Sequence, residues 1–131
     1  MPALSDHARE LFSRPLLGWA TVLRPDGTPH NSVVWLDVDG DDILLNTAID
    51  RAKERYLREN QSISVSVLDP DDNFSWASVT GTASLSTEDG NDVIDRLARK
   101  YTGENYQWHK PHETRITIRV KVDRVNEQSG R

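Results

Sequence analysis

Ile43-Leu44-Leu45-Asn46-Thr47-Ala48-Ile49-Asp50-Arg51-Ala52-Lys53-Glu54-Arg55-Tyr56-Leu57-Arg58-Glu59-Asn60 is the stretch whose reading decides the fold. Its apolar start reads as a strand that turns at once into a short helix. Arg51, Lys53, Arg55 and Arg58 crowd that helix, in a chain of formal net charge -5. A helix start offers unpaired N–H groups and the positive end of the dipole. Both favour a phosphate, whereas nearby cations are mildly unfavourable for the helix itself. Two readings stand: a phosphate seat, or a solvated basic helix in which Glu54 and Arg58 form an i,i+4 pair.

Outward from this point the chain alternates short strands and turns. Leu4, Ala8, Leu11 and Phe12 recur at helical spacing behind Ser5, an N-cap, and Pro15 ends the pattern. Strands are expected at 17–23, 30–38, 43–47, 62–68, 78–85 and 116–122. Arg24-Pro25-Asp26-Gly27 and Asp39-Gly40-Asp41-Asp42 carry turn chemistry. Small residues Gly81 and Ala83 on the apolar phase imply a close approach or a bend. A second helix is expected over 88–100 behind Thr87, with 101–113 irregular. Six strands with tight turns and one crossover helix imply a small antiparallel barrel with flanking helices. Strand-helix-strand recurs too rarely for a doubly wound fold, and no Gly-rich phosphate loop of the GxGxxG or GxxxxGK kind is present.

A length of 131 residues at 36% hydrophobic composition fits one domain over 1–131. Zero cysteines exclude disulfides, thiolate nucleophiles and Cys-based metal sites. Met1-Pro2-Ala3-Leu4-Ser5-Asp6-His7 lacks a basic region followed by an apolar one, so no signal peptide is expected, and no apolar run reaches membrane-spanning length. A cytoplasmic location is the expectation, with no membrane partner. The acidic balance of 21 to 16 argues against nucleic acid. His109 and His112 are separated by Pro111 and read as a polar loop rather than metal ligands. No Gly-x-Ser-x-Gly elbow frames a nucleophile.

Four tryptophans, Trp19, Trp35, Trp76 and Trp108, are many for this length. Trp76 and Trp108 adjoin expected loops and suit the walls of a groove or a dimer contact. Aromatic walls beside a cationic seat describe a site for a flat phosphorylated ligand. With no nucleophile present, that ligand would carry the chemistry itself.

The ordered set Ala20-Thr21-Val22, Pro25-Asp26-Gly27-Thr28-Pro29-His30, Val34-Trp35, Thr47-Ala48 with Arg51-Ala52-Lys53, Val67-Leu68-Asp69-Pro70-Asp71, Val79-Thr80-Gly81-Thr82-Ala83 and Ile94-Asp95-Arg96-Leu97-Ala98-Arg99-Lys100-Tyr101 spans Leu4 to Val125. It resembles the pyridoxamine-phosphate-oxidase-like split-barrel superfamily, and within it the subgroup using the deazaflavin F420. That resemblance implies a six-stranded antiparallel split barrel and a homodimer with its cofactor cleft between subunits. It implies a cofactor phosphate on Arg51 and Lys53 near Thr47, assisted by Arg55 or Arg58. It sets the ring against Asn31, Ser32, Val33, Val34 and Trp35, with the partner subunit supplying the region around Trp76 and Trp108.

Two positions depart from the family pattern: Val33 stands for the usual proline and Trp76 for a tyrosine. The C-terminal motifs that pyridoxamine phosphate oxidases use for their substrate are also missing. The activity so implied is hydride transfer from reduced F420 to an electron-poor unsaturated small organic acceptor. An FMN oxidoreductase of the same fold and a non-catalytic F420-binding protein are the alternatives. The anionic tail of F420 would need a basic exit path, for which Arg55, Arg58, Lys110, Arg9 and Arg14 are the candidates.

Overall fold

The computed structural model describes residues 4–131, so Met1-Pro2-Ala3 of the stretch read for a signal peptide lies outside it. Helix α1 (Asp6–Ser13) begins as the sequence requires, with the Ser5 hydroxyl accepting from Ala8 N–H at 3.0 Å. Strands β1 (Gly18–Leu23), β2 (Pro29–Val34), β3 (Asp37–Asp39) and β4 (Asp42–Ala48) follow. Helix α2 (Ala52–Glu59), β5 (Ser62–Leu68), β6 (Ser75–Ser86), α3 (Gly90–Thr102) and β7 (Arg115–Ser129) complete the order. No helix among the described residues is long and apolar enough to cross a membrane.

The strands form one antiparallel sheet in the order β2-β1-β5-β6-β7-β4-β3. Its edge strands β2 and β3 are joined by Trp35 and Leu36 alone. The sheet therefore curls until its edges approach, but no ladder closes it. This is the expected split barrel, with seven strands rather than six, because the expected 30–38 strand breaks in the middle. Leu36 has other partners for its backbone. Its N–H donates to Tyr101 Oη at 3.2 Å, and its carbonyl accepts from Lys100 Nζ at 2.6 Å. Tyr101 Oη donates in turn to Leu16 O at 2.7 Å, and Lys100 Nζ donates to Phe12 O at 2.8 Å. Burial pushes the Tyr101 phenol up to about 12, so it remains a donor. Two side chains of α3 thus hold the crossover where strand pairing would have been.

Inside the curl lie Val22, Leu36, Ile43, Leu45, Val65, Val79 and Ile118, and Leu11 and Phe12 of α1 plug one end. The register of β6 on β7 shifts between Thr80 and Gly81. A Cβ on Gly81 would stand 2.1 Å from Lys121 O, so only glycine permits the bend there. Helix α3 starts two residues later than expected, at Gly90 behind Asp89 rather than behind Thr87. Gly90 lies directly on β7, where a Cβ would come within 2.1 Å of Arg115 O. Because α3 packs on β7, Thr117 is buried.

Candidate functional site

β4 delivers the chain to α2 through one tight turn. Asp50 takes a left-handed backbone at φ +72°, which aspartate tolerates better than most residues. Arg51 then occupies the N-cap of α2, and no side chain caps the helix there. The first turn is left facing a cleft of about 440 Å³. Arg51, Ala52, Lys53, Thr47 and Asn46 form one end of that cleft, together with Arg115 from β7. The other walls are Leu17, His30, Ser32, Val33, Val34 and Trp35 on the β1–β2 side, with Ile94, Leu97 and Tyr106 opposite.

The electrostatics of the basic end are unusual. Lys53 Nζ donates to Ser32 Oγ at 3.1 Å and, among the described residues, meets no carboxylate. Burial, then the like charges of Arg51 and Arg115, push its ammonium below the ordinary lysine range. Arg115 is 5% exposed. Its Nε donates to Asn46 Oδ1 at 2.8 Å, while Asn46 Nδ2 donates to Gly90 O at 2.8 Å. Its guanidinium lies 5.1 Å from the centre of the Tyr106 ring. Glu113 bridges Arg51 and Arg115 at 2.9 and 3.2 Å. His30 packs edge-on against Tyr56 at 5.5 Å, and its Nδ1 is buried without a hydrogen-bond partner.

The structure thus gathers Thr47, Arg51, Lys53, Ser32, Val33, Val34 and Trp35 of the residues singled out from sequence. Trp35 stacks on Tyr101 with ring centres 5.4 Å apart and planes 9° from parallel. Five others lie outside the cleft lining. Asn31 points to the opposite face, accepting from Thr21 Oγ1 at 2.5 Å. Arg55 is exposed near Tyr56, and Arg58 is held by Glu54 and Asp50 at 2.7 and 2.8 Å. Trp76 of β6 pairs with Leu68 of β5, and Trp108 is 57% exposed, 5.5 Å from Tyr106. Of the residues considered for an anionic tail, Arg9 is tied to Asp41 and Arg14 to Asp69, away from the cleft.

Arg115, Asn46, Tyr106 and His30 went unassigned in the sequence. Arg115 opens β7 in the same alternation as Thr117, Arg119 and Lys121, so no local signal set it apart. A second constellation resembles a hydrolase relay: Ser75 Oγ lies 3.0 Å from His7 Nε2, and His7 Nδ1 lies 2.8 Å from Glu127 Oε1. Ser75 is buried and Glu127 also accepts from Ser5, so this network fastens α1 to the β6–β7 pair. Among the described residues, no group of three His, Cys, Asp or Glu is placed to hold a metal ion.

A family profile described as pyridoxamine 5'-phosphate oxidase matches residues 4–129. Among solved structures, an F420 reductase is similar at 25% identity and TM-score 0.83, covering 94% of this chain and 98% of the other. A conserved hypothetical protein of Mycobacterium tuberculosis, Rv2991, is similar at 23% identity and TM-score 0.73, covering 97% and 86%. The General Stress Protein 26 of Bacillus anthracis shares the fold at 14% identity and TM-score 0.71, covering 94% and 92%. No curated protein matches the sequence at a significant level.

Proposed function

The chain belongs to the pyridoxamine 5'-phosphate oxidase family, and from that premise we propose that it is an oxidoreductase whose cleft takes the deazaflavin F420. Lys53 carries the reading. A mostly buried ammonium without a counter-ion, beside two further cations, is unfavourable until an anion arrives. A cofactor phosphate fits that need. Similarity to an F420 reductase over nearly the full length supports F420 in particular. FMN is the second reading, because it too presents a ribityl phosphate and a tricycle.

Lys53, Arg51 and Arg115 hold the phosphate, with Thr47 and the uncapped first turn of α2 beside them. Ser32 to Trp35 form the wall for the ring, and Leu17, Ile94 and Leu97 keep that space apolar. When bound in reduced form, F420 supplies a hydride to an electron-poor unsaturated small organic acceptor. The protein's share is approach geometry and exclusion of water. Tyr106, pinned by its N–H to Asp95 at 3.0 Å, closes one side of the cleft. His30 lines the cleft beside Ser32, with its Nδ1 buried and turned away from any hydrogen-bond partner.

The working unit in this reading is a homodimer. Trp19, Val33, Leu68 and Trp76 lie on one outward sheet face, linked by the register Trp19↔Val33, Trp19↔Ser66 and Leu68↔Trp76. Trp19, Val33 and Leu68 are 57%, 49% and 50% exposed, an apolar strip that marks an interaction surface. Val33 belongs both to the strip and to the cleft. A second copy seated on the strip would therefore border the cofactor, which is where the resemblance puts Trp76 and Trp108.

Parallel fluorescence titration of the chain with F420 and FMN tests the assignment, followed by an acceptor screen with the tighter ligand. Tighter F420 binding with acceptor-dependent oxidation of F420H2 is expected. Tighter FMN binding would hand the site to the second reading. Binding of F420 without turnover on any acceptor would favour a cofactor-binding protein.

A further inference from the structure

The basic end of the cleft already contains an anion of its own. Glu113 Oε2 accepts from Arg51 Nη2 at 2.9 Å, and its Oε1 accepts from Arg115 Nη1 at 3.2 Å. Its side chain is 9% exposed, whereas that of Arg51 is 48% exposed. Burial pushes the carboxyl up, but the hydrogen bonds and charges of Arg115 and Arg51 outweigh it and hold Glu113 below the ordinary range. Lys53 is outside this clamp, bonded to the neutral Ser32 hydroxyl. Three cations therefore face the cleft end, and two of them are engaged by one carboxylate.

We propose that Glu113 is an internal competitor for the phosphate seat, holding Arg51 in the ligand-free protein and yielding it to an entering phosphate. Arg115 is anchored independently by Asn46 and stays in place, so Arg51 is the arm that changes partner. Because Glu113 keeps its charge beside the bound anion, it also sets which anion the seat prefers. A phosphodiester carries one negative charge, and a phosphomonoester carries nearly two at neutral pH. The repulsion from one fixed carboxylate is about twice as large for the second. Glu113 thus selects singly charged phosphodiesters over phosphomonoesters, a selectivity that rests on the phosphate-seat reading above.

Methyl phosphate and dimethyl phosphate, titrated into the full chain and followed by amide chemical shifts, test the proposal without any cofactor. Replacing Glu113→Gln keeps a hydrogen-bond acceptor near both arginines and removes the charge. It should tighten dimethyl phosphate about threefold and methyl phosphate about tenfold, the second close to the square of the first because the charge doubles. Lys53→Ala, measured with the same probes, reports on the seat itself. If it leaves both affinities unchanged, the seat and the competitor fall together. If it weakens them while Glu113→Gln fails to tighten methyl phosphate, the competitor alone is overturned.

Should Glu113→Gln not fold, Arg51→Ala carries the test. An arginine already half neutralised by Glu113 should cost methyl phosphate about threefold, against about tenfold or more for Lys53→Ala. An equal or larger loss at Arg51 overturns the proposal.

Discussion

Lys53 Nζ donates to Ser32 Oγ across 3.1 Å, tying the first turn of α2 to the edge strand β2. The bond joins the basic end of the cleft to its long wall. It also satisfies one of three ammonium protons, leaving the others to an anion. Replacing Lys53→Met should weaken binding of a phosphorylated cofactor by about 1.5–3 kcal/mol, the size of a charge-assisted hydrogen bond. A dephosphorylated analogue should lose little. Equal weakening of both ligands in a fluorescence titration would show that the lysine supports structure rather than phosphate.

The same burial makes a pH prediction for the protein without ligand. The Lys53 ammonium is lowered from the ordinary 10.5 by burial and by Arg51 and Arg115. Lys100 is also lowered, again by burial first, with Asp37 opposing. Between a lowered folded pKa and the unfolded one, the unfolded chain binds more protons. Stability therefore rises with pH over that alkaline interval. Urea midpoints should climb as pH rises toward 10, and the climb should be shallower in Lys53→Met, with Lys100 supplying the remainder and the raised Tyr101 phenol opposing the climb above pH 10. A variant as steep as the parent would remove Lys53 from the account.

Asn46 holds Arg115 Nε with one end of its amide and the Gly90 carbonyl of α3 with the other. Asn46→Ala leaves a buried guanidinium N–H unpaired and cuts the link to α3. The expected cost is about 1–3 kcal/mol in denaturant unfolding. Phosphorylated-ligand affinity should fall with it, because Arg115 loses its fixed orientation. A loss of affinity with unchanged stability would mean that Asn46 touches the ligand directly.

That Arg51 and Lys53 share one end of a cleft, the seat proposed above, was legible because strand, turn and helix are contiguous, so charge pattern and dipole could be read from one stretch. Arg115 was not, because it reaches the seat through the pairing Ala48↔Arg115 of β4 and β7, and local periodicity carries no register between distant strands. The six strand positions followed from alternation and turn residues. The break at Trp35-Leu36 did not, since it depends on Lys100 and Tyr101 from α3 taking the backbone of Leu36. Asn31 was grouped with Ser32 by proximity in sequence, yet period 2 turns it to the other face. Trp76 and Trp108 drew notice by type and by adjoining loops. Neither of them lines the cleft.

The dimer can be tested on the strip itself. Trp19 and Val33 face each other in register on β1 and β2, both about half exposed. A charge there leaves the interior of the curled sheet untouched. Trp19→Glu should give a folded monomer by light scattering at micromolar concentration, with unchanged circular dichroism. Cofactor affinity should drop in parallel if the partner borders the cleft. A parent protein that is already monomeric under those conditions would remove the shared-cleft arrangement.

The two tricycles are nearly isosteric, so apart from the charge of the phosphate itself, discrimination between F420 and FMN would come from what lies beyond the phosphate. F420 continues into a polyanionic tail, and cations free of carboxylates are what such a tail would meet. The structure separates the two helix arginines proposed for it. Arg58 is spent on Glu54 and Asp50, at 2.7 and 2.8 Å. Arg55 is exposed and, among the described residues, joins no ion pair; its guanidinium lies 6.0 Å from the Tyr56 ring. Arg55→Gln should therefore cost F420 about 0.5–1 kcal/mol at low salt and FMN much less. The difference should fade as ionic strength rises, since the contact is solvent-exposed. Arg58→Gln should instead lower the stability of the apoprotein, because it unpairs the buried Glu54 carboxylate. If Arg55→Gln weakens F420 and FMN alike, or if its effect persists in high salt, the tail does not leave along α2.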